Sequence, residues 1–222
     1  MEKKPIRTYV KRQGRMTKAQ KNAIEVHGPE FLIEFKEELL QEEQLFFTEQ
    51  PLCFEIGFGM GDATHKIAHT NSDINYIVTD VHQPCIGNLI KLSSADNLKN
   101  IKIIPHDALE VLQFMIKDNF LSKINIFFPD PWQKKRHNKR RLINGDNLNL
   151  ILKKLKDGGV LHIATDWEPY ALEIIDVVKT SDNLTLTTNN FHQRPDFRPE
   201  TKYESRGMRL GHAVWDILAT KG

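Results

Sequence analysis

Five acidic residues recur along the chain, each on or just after an apolar, β-prone segment. The intervals between them are 25, 27, 23 and 36 residues, about one strand and one helix each. The carboxyl ends of parallel strands meet at one edge of a sheet, so these side chains should converge on one crevice. A single such acid is more often a helix N-cap, but five in phase are hard to explain that way. The five residues are Glu55, Asp80, Asp107, Asp130 and Asp166.

A glycine-rich loop follows the first of these segments and suggests a nucleotide-like ligand. Its glycines are Gly57, Gly59 and Gly61. They allow a tight turn and a close backbone approach, but the GxGxG spacing alone is a weak signal. A dinucleotide would bring a pyrophosphate that carboxylates repel, whereas S-adenosylmethionine brings an ammonium, a sulfonium and ribose hydroxyls. We therefore favour S-adenosylmethionine over NAD, with Glu55 near its amino-acid end, Asp80 on the ribose and Asp107 on the adenine amino group.

The segment 124–141, INIFFPDPWQKKRHNKRR, places an acid and an indole beside a basic cluster. An apolar run ends at a turn that carries Asp130 and Trp132, and six cationic residues follow. They are Lys134, Lys135, Arg136, Lys139, Arg140 and Arg141. This arrangement favours chemistry on a polyanion, most plausibly a nucleic acid. The alternative is a proline turn followed by a solvated basic helix start, with Trp132 packed in the core and not stacked on an extruded base.

Alternating strands and helices must position these residues. The predicted strands cover 52–58, 75–81, 101–106, 124–128, 160–165, 184–188 and 212–219. This rhythm predicts an α/β fold with a mostly parallel sheet, helices on both faces and a last pair of strands that is antiparallel. Apolar residues at helical spacing predict a first helix over 29–41, and a later helix should stop at Gly158-Gly159. We expect a basic, mobile arm over 1–28 and a single domain over 29–222.

Composition excludes several classes of protein. The 222 residues carry a net charge of only +2, no apolar run approaches the roughly 18 residues of a membrane span, and the N-terminus lacks a secretory signal. Cys53 and Cys85 are typical of reduced thiols in a cytoplasmic protein. His65 and His69 have i, i+4 spacing, but no HExxH motif or further ligand cluster accompanies them, so we expect no metal.

Several segments together resemble one family. They are EIGFGMGD (55–62), HDA (106–108), FFPDPWQKKRHNKRR (127–141), ATDWEPYA (164–171), RPETKYESRGMRLGH (198–212) and the arm segment IRTYVKRQGRMTKAQ (6–20). The combination closely resembles bacterial tRNA (guanine-N7-)-methyltransferases over essentially the whole chain. The resemblance implies a class I S-adenosylmethionine-dependent methyltransferase fold with a Rossmann-like, seven-stranded sheet. It also implies methyl transfer to N7 of the variable-loop guanosine at tRNA position 46. We expect no obligate protein partner and either a monomer or a homodimer.

The same resemblance implies roles for individual residues. It places Glu55, Asp80, Asp107 and Asp130 around the methyl donor. It places Lys134, Asp166, Thr201, Lys202, Tyr203 and Glu204 around the target nucleotide. It assigns RNA contacts to Arg136, His137, Asn138, Lys139, Arg140 and Arg141. Two positions depart from the family pattern: Asp80 stands where Glu is common, which should alter hydrogen-bond reach, and Tyr203 stands where Phe is common.

The chemistry of the target fixes what the acid in the proline turn can do. Guanine N7 has an in-plane lone pair and no proton, so no general base is needed to create the nucleophile. Because the product is a cationic purine, we assign orientation and electrostatic stabilisation to Asp130, with obligatory base catalysis less favoured. Three alternatives remain open: a methyltransferase acting on another RNA or on a protein, a non-catalytic tRNA-binding factor, and an NAD-dependent oxidoreductase.

Overall fold

Seven strands form one sheet in the computed structural model, which describes residues 7–10, 14–188, 191–201, 204 and 213–222. The strands are β1 Leu52–Ile56, β2 Asn75–Thr79, β3 Ile101–Ile104, β4 Leu121–Phe127, β5 Leu155–Thr165, β6 Leu184–Leu186 and β7 Trp215–Lys221. Their order is β3-β2-β1-β4-β5-β7-β6. All neighbouring pairs among β1 to β5 are parallel, and β7 runs antiparallel to both β5 and β6. The predicted antiparallel pairing of the last two strands is confirmed.

Within the described residues, six α-helices cover the two faces of this sheet. They are α1 Lys18–Phe31, α2 Asp62–Thr70, α3 Gln83–Ala95, α4 Ala108–Phe114, α5 Gly145–Lys154 and α6 Glu168–Lys179. Apolar residues of α1, α2 and α3 pack into one core cluster, and those of α4, α5 and α6 pack into a second cluster. The central strands β1 and β2 are buried at every position, which is why they read as continuous apolar runs. No helix in the described part of the chain is long and apolar enough to cross a membrane.

The strand order creates a crevice between β1 and β4. The chain moves outward in one direction from β1 to β2 and β3, and then returns to β4 on the other side of β1. In open α/β sheets, ligands bind outside the carboxyl ends of the strands at such a reversal. The glycine loop after β1 and the proline turn after β4 therefore face each other across this crevice.

The predicted helix over 29–41 is wrong. Helix α1 instead covers Lys18–Phe31, and Thr17 and Gln20 form a reciprocal capping box at its start. The chain after it runs along the edge of β3, where Ile33 N donates to Ile103 O at 2.9 Å. Since a Cβ on Gly87 would lie 2.8 Å from Gln20 O, α1 packs tightly on α3. The boundary predicted at residue 28 therefore falls inside a packed helix, while the mobility of the residues before it stays a prediction.

Helix α5 also ends earlier than predicted. It stops at Lys154, and β5 begins at once because Leu155 is fully buried and pairs with Leu121. Gly158, with φ +76°, then lies inside the eleven-residue strand, after a register shift between Leu121 and Lys123 on β4. The glycine pair thus marks an irregularity in the β4–β5 pairing, and not the end of a helix.

Candidate active site and nucleic-acid interface

A cavity of about 290 Å³ lies at the carboxyl ends of β1, β2, β3 and β4. Gly57, Gly59 and Gly61 in the loop after β1 all have positive φ, between 57° and 77°. A Cβ on Gly59 would meet no atom within 4 Å, so the loop backbone presents an open face there. The residues that line the cavity are Thr8, Tyr9, Ile56, Gly57, Gly59, Thr79, Asp80, Val81, His82, His106, Asp107, Ala108, Phe127, Phe128, Pro129, Asp130 and Leu142.

Two of the predicted donor-binding acids line this cavity with oriented carboxylates. Asp80 is 8% exposed and accepts from the backbone N–H groups of Gly59 at 3.0 Å and His82 at 2.9 Å. Burial raises the pKa of Asp80, although these hydrogen bonds act in the opposite direction. Asp107 caps α4 by accepting from Leu109 N at 2.9 Å. Each carboxylate keeps acceptor capacity on the side of the cavity, because each oxygen has two lone pairs.

Glu55 lies beneath the glycine loop and is not among the residues that line the cavity. It is 2% exposed and accepts a 2.9 Å hydrogen bond from the Thr64 hydroxyl of α2. Its other oxygen, Oε2, has no hydrogen-bond partner within the described part of the chain. Burial raises its pKa to about 7, against the opposing effects of Thr64 and of the Lys123 charge. Glu55 is therefore placed to support the loop from below.

Asp130 stands between two cavities. It is exposed in the turn after β4, where Phe128 and Trp132 both adopt positive φ, 53° and 42°. A second cavity of about 300 Å³ adjoins this turn. Its lining consists of Val10, Asp130, Trp132, Gln133, Lys134 and His137. Asp130 therefore borders both cavities, and the two adjoin at this residue.

The N-terminal segment 7–10 contributes to both cavities, which the sequence did not predict for any particular residue. Thr8 and Tyr9 line the first cavity, and Val10 lines the second. The segment is held by side chains of the basic region: Trp132 Nε1 donates to Thr8 O at 3.0 Å, and Arg140 donates to the carbonyls of Arg7 and Tyr9 at 3.0 and 3.2 Å. Burial and the Asp107 charge raise the pKa of Tyr9. Only the resemblance of residues 6–20 pointed to this segment.

His106 is a further cavity residue that the motif HDA contained but to which no role was assigned. Its ring stacks on Phe35 with a centroid separation of 3.7 Å and an interplanar angle of 8°. Phe35 comes from the segment that follows α1 along the edge of β3. This segment therefore fixes the floor of the first cavity next to Asp107.

The predicted RNA-binding residues separate into outward and inward groups. Lys134, Lys135, Arg136 and Lys139 are exposed on or beside the 3₁₀ segment Lys135–Arg140. Arg140 lies inward, with its guanidinium 3.8 Å from the centroid of the Trp132 ring. Arg141 is 4% exposed, pairs with Glu173 and donates to Pro131 O at 2.9 Å.

The two remaining members of the basic run contact the indole or the backbone near it. His137 meets Trp132 edge to face at 5.8 Å. Burial and then the neighbouring positive charges lower the pKa of His137. With its amide oriented toward two carbonyls, Asn138 donates to Trp132 O at 3.0 Å and Lys134 O at 3.2 Å. The outward charge of the segment therefore rests mainly on lysines and Arg136.

The predicted target-binding residues after β5 are only partly brought together. Asp166 is exposed directly after β5, at the same edge of the sheet as Asp130. Glu204 is 3% exposed and forms a bidentate ion pair with Arg198, at 2.7 and 2.9 Å. Thr201 is half-buried and exchanges hydrogen bonds with Glu204. Lys202 and Tyr203 lie outside the described residues.

The part of the chain that the structure describes contains no cluster of metal-ligating side chains. There, no three His, Cys, Asp or Glu side chains lie close enough together to hold an ion. His65 pairs with Asp96 at 2.8 Å, while its ring and that of His69 lie 6.1 Å apart.

Solved structures with the same architecture define the class. The chain is similar to the 16S rRNA methyltransferase KamB, with a TM-score of 0.60 and 13% identity over 83% of this chain and 95% of that chain. It is also similar to a 30S ribosomal A1408 methyltransferase from an uncultured bacterium, with a TM-score of 0.58 and 18% identity over 81% of this chain and 90% of that chain. The fold is that of class I S-adenosylmethionine-dependent methyltransferases, as the sequence predicted.

Curated relatives narrow this class to one family. A family model described as a putative methyltransferase matches residues 49–217. A tRNA (guanine-N(7)-)-methyltransferase of Chromobacterium violaceum is 47% identical over 97% of this chain and 96% of that relative. An enzyme of the same name from Methylobacillus flagellatus is 46% identical over 98% of this chain and 92% of that relative. The chain belongs to the tRNA (guanine-N(7)-)-methyltransferase family.

Proposed function

We propose that this protein transfers a methyl group from S-adenosylmethionine to N7 of guanosine at position 46 in the variable loop of tRNA. The names of the relatives support the reaction and the substrate class. The observation that carries the proposal is that Asp130 lines two adjoining cavities, one beside the glycine loop and one beside the basic segment. The choice of position 46 rests on the resemblance of the sequence motifs alone.

The first cavity offers the carboxylates and the open loop backbone that the donor requires. Asp80 presents acceptors for the ribose hydroxyls, and Asp107 presents one for the adenine amino group. Gly59 leaves the loop backbone open on the side where a ligand would approach. The tightly held Asp80 carboxylate still reaches the cavity although it is shorter than the Glu common in the family. When bound, S-adenosylmethionine supplies an electrophilic sulfonium methyl group.

The second cavity fits an extruded guanosine. Trp132 offers an aromatic face, and Lys134 supplies a positive charge at the mouth for the nucleotide phosphate. Asp130 stabilises the positive charge that develops on the purine and accepts from its ring N–H or amino group. Asp166 follows β5 at the same edge and shares the contacts to the Watson–Crick edge. Most of the rate enhancement then comes from aligning the two reactants.

The outward cations of the basic segment hold the tRNA backbone. Lys135, Arg136 and Lys139 are exposed together beside the second cavity, and phosphate contacts of this kind orient an RNA without reading its sequence. The net charge of the protein is only +2, so its attraction for RNA comes from local basic patches. Because these patches contact phosphates, tRNA binding should weaken as the salt concentration rises. We further propose that the protein acts in the cytoplasm without an obligate protein partner, as a monomer or a homodimer.

The decisive experiment uses tritiated S-adenosylmethionine and two tRNA transcripts that differ only at position 46, guanosine or adenosine. Label in the guanosine transcript alone, with chain cleavage there after mild alkali and aniline, supports both the N7 chemistry and the position. Label in both transcripts rejects the position. Label in neither, with S-adenosylmethionine still bound, favours a non-catalytic tRNA-binding factor or another acceptor.

Asp130 provides the residue-level test of the same proposal. Asp130→Asn keeps the size of the side chain and removes its charge, so turnover should fall by about 100-fold or more. Donor binding should change much less. The matched control is Asp182→Asn, an exposed acid between α6 and β6, which should behave as the wild type. Unchanged turnover of Asp130→Asn would refute the charge-stabilising role.

A further inference from the structure

Arg198 is a fully buried arginine in the segment that leads to the predicted target-binding residues. Its side chain is 1% exposed. Its Nε and Nη2 donate to the two Asp216 oxygens at 2.7 Å each, and its Nη1 and Nη2 donate to the two Glu204 oxygens at 2.7 and 2.9 Å. Bidentate pairs of this kind fix both distance and orientation. The Arg198 guanidinium thus joins Asp216 on β7 to Glu204, which follows Arg198 by six residues.

His162 on strand β5 forms a further bond to the Asp216 carboxylate. His162 Nε2 donates to Asp216 Oδ1 at 2.7 Å, and both side chains are fully buried. Hydrogen bonds from His162 and Arg198 overcome burial and lower the pKa of Asp216. Burial outweighs the Asp216 charge and lowers the pKa of His162. A neutral imidazole therefore anchors a carboxylate that in turn anchors Arg198.

Glu204 and Thr201 form a capping box. Thr201 Oγ1 accepts from Glu204 N at 3.1 Å, and Thr201 N donates to Glu204 Oε2 at 3.4 Å. The sequence Thr-x-x-Glu is the signature of this local structure, in which two side chains satisfy each other's backbone N–H groups. The Glu204 carboxylate thereby accepts from Arg198 and from the backbone at once. Both described members of the 201–204 motif are committed to bonds within the protein.

The Arg198 side chain also packs against the turn that carries Asp130. Its guanidinium carbon lies 5.6 Å from the centroid of the Phe128 ring and 6.0 Å from that of Phe127. Phe128 precedes Asp130 by two residues and has a positive φ of 53°. A single buried cation therefore touches the proline turn on one side and the capping box on the other.

We infer that Arg198 is a positioning residue, which holds the 201–204 capping box in register with Asp130. This inference rests on the proposed methyl transfer, in which a small displacement of the target nucleotide is costly. It gives His162 and Asp216 a role in acceptor alignment.

The central test compares Arg198→Lys, Glu204→Gln and the double variant. Lys keeps the charge of Arg198 but cannot form two bidentate pairs. Each single variant should lower kcat with tRNA by about 100-fold, with the KM for tRNA and the Kd for S-adenosylhomocysteine changed less than about threefold. The double variant should be no slower than either single variant, because both changes break one interaction. Lys179→Arg, an exposed cation in the last turn of α6, is the control.

Two outcomes overturn the inference. One is full activity of a folded Arg198→Lys. The other is a double variant that is clearly slower than the slower single variant, which would show that Arg198 and Glu204 act independently.

Thr201 keeps the test valid if Arg198→Lys fails to fold. Thr201 is only half-buried, so Thr201→Val should fold while removing the capping hydroxyl, and Thr201→Ser should restore wild-type kcat. The Glu204 amide, which donates to Thr201 Oγ1, gives a readout that does not depend on activity. Its hydrogen exchange should accelerate at least about tenfold in Thr201→Val and not in Thr201→Ser, which corresponds to about 1.4 kcal/mol of local opening. Unchanged exchange and kcat in Thr201→Val refute the inference, whereas an inactive wild type refutes the proposed function.

Discussion

Replacing Glu55 by Gln should make the protein's stability less sensitive to a rise in pH from about 4.5 to about 7. In the unfolded chain this carboxyl ionises near its usual pKa of 4.5, whereas burial raises its pKa in the folded protein to about 7. Between these values the unfolded chain loses the proton first, so the wild type loses stability as pH rises. Each tenfold difference in proton affinity is worth about 1.36 kcal/mol, which gives a loss of about 3 kcal/mol. The neutral amide of Gln is exempt from this loss.

The assay is urea unfolding of the wild type and Glu55→Gln at pH 5 and pH 8. Most of the loss falls between these two values, so the stability of the variant relative to the wild type should rise by about 2.5 kcal/mol on going to pH 8. Glu25→Gln, an exposed acid on α1, corrects for the removal of one negative charge. A relative stability that stays constant within about 0.5 kcal/mol would show that Glu55 is ionised in the folded protein throughout, and would refute this reasoning.

Two further predictions use paired variants. Arg141→Ala should lower the free energy of unfolding by about 2 kcal/mol, because it breaks buried bonds of which one partner is partly solvated. Arg136→Ala should leave the free energy of unfolding unchanged and lower the salt slope of tRNA binding by about one. The opposite result for the two variants would contradict the inward placement of Arg141 and the outward placement of Arg136. Gly61→Ala should cost about 3 kcal/mol in urea unfolding, because its Cβ would meet Leu89 Cβ at 2.8 Å on top of the left-handed strain. Gly59→Ala, strained but unobstructed, should cost about 1 kcal/mol; equal losses would show that the contact with Leu89 relaxes freely.

The strands could be located along the chain because their sequence signal is local. Parallel strands buried on both faces read as continuous apolar runs, and the acids that end them set the period. The first helix could not be placed by the same means. Residues 31–40 have apolar side chains at helical spacing, yet Phe35 stacks on His106 and Leu40 donates its N–H to Met115 O. The capping box at Thr17 and Gln20 was the better local signal.

The edge of the sheet that carries the candidate site could be predicted from the sequence. Which side chains reach the cavity could not. Asp80 and Asp107, which follow β2 and β3, both line the first cavity, because the carboxyl ends of parallel strands meet at one edge of the sheet. Their contacts with the donor stay predictions. Glu55 satisfies the same spacing, but its side chain is buried and accepts from the Thr64 hydroxyl. Its contact with the donor stays a prediction. Tyr9 reaches the cavity from the other end of the chain. No periodicity in the sequence connects residues that meet only through the tertiary fold.

The arginines show why a basic cluster must be divided before it is assigned to RNA. Arg140 and Arg141 lie in the basic cluster and Arg198 lies in a segment of mixed charge, yet each uses its guanidinium inside the protein, on backbone carbonyls or carboxylates. A guanidinium is weakly hydrated and has five donors in a fixed fork, so it tolerates burial where several acceptors converge. An ammonium is more strongly hydrated, and Lys134 accordingly stays exposed at the second cavity. In such a segment, arginines with partners at hydrogen-bond distance build the site, and the exposed cations are the ones to test against phosphate.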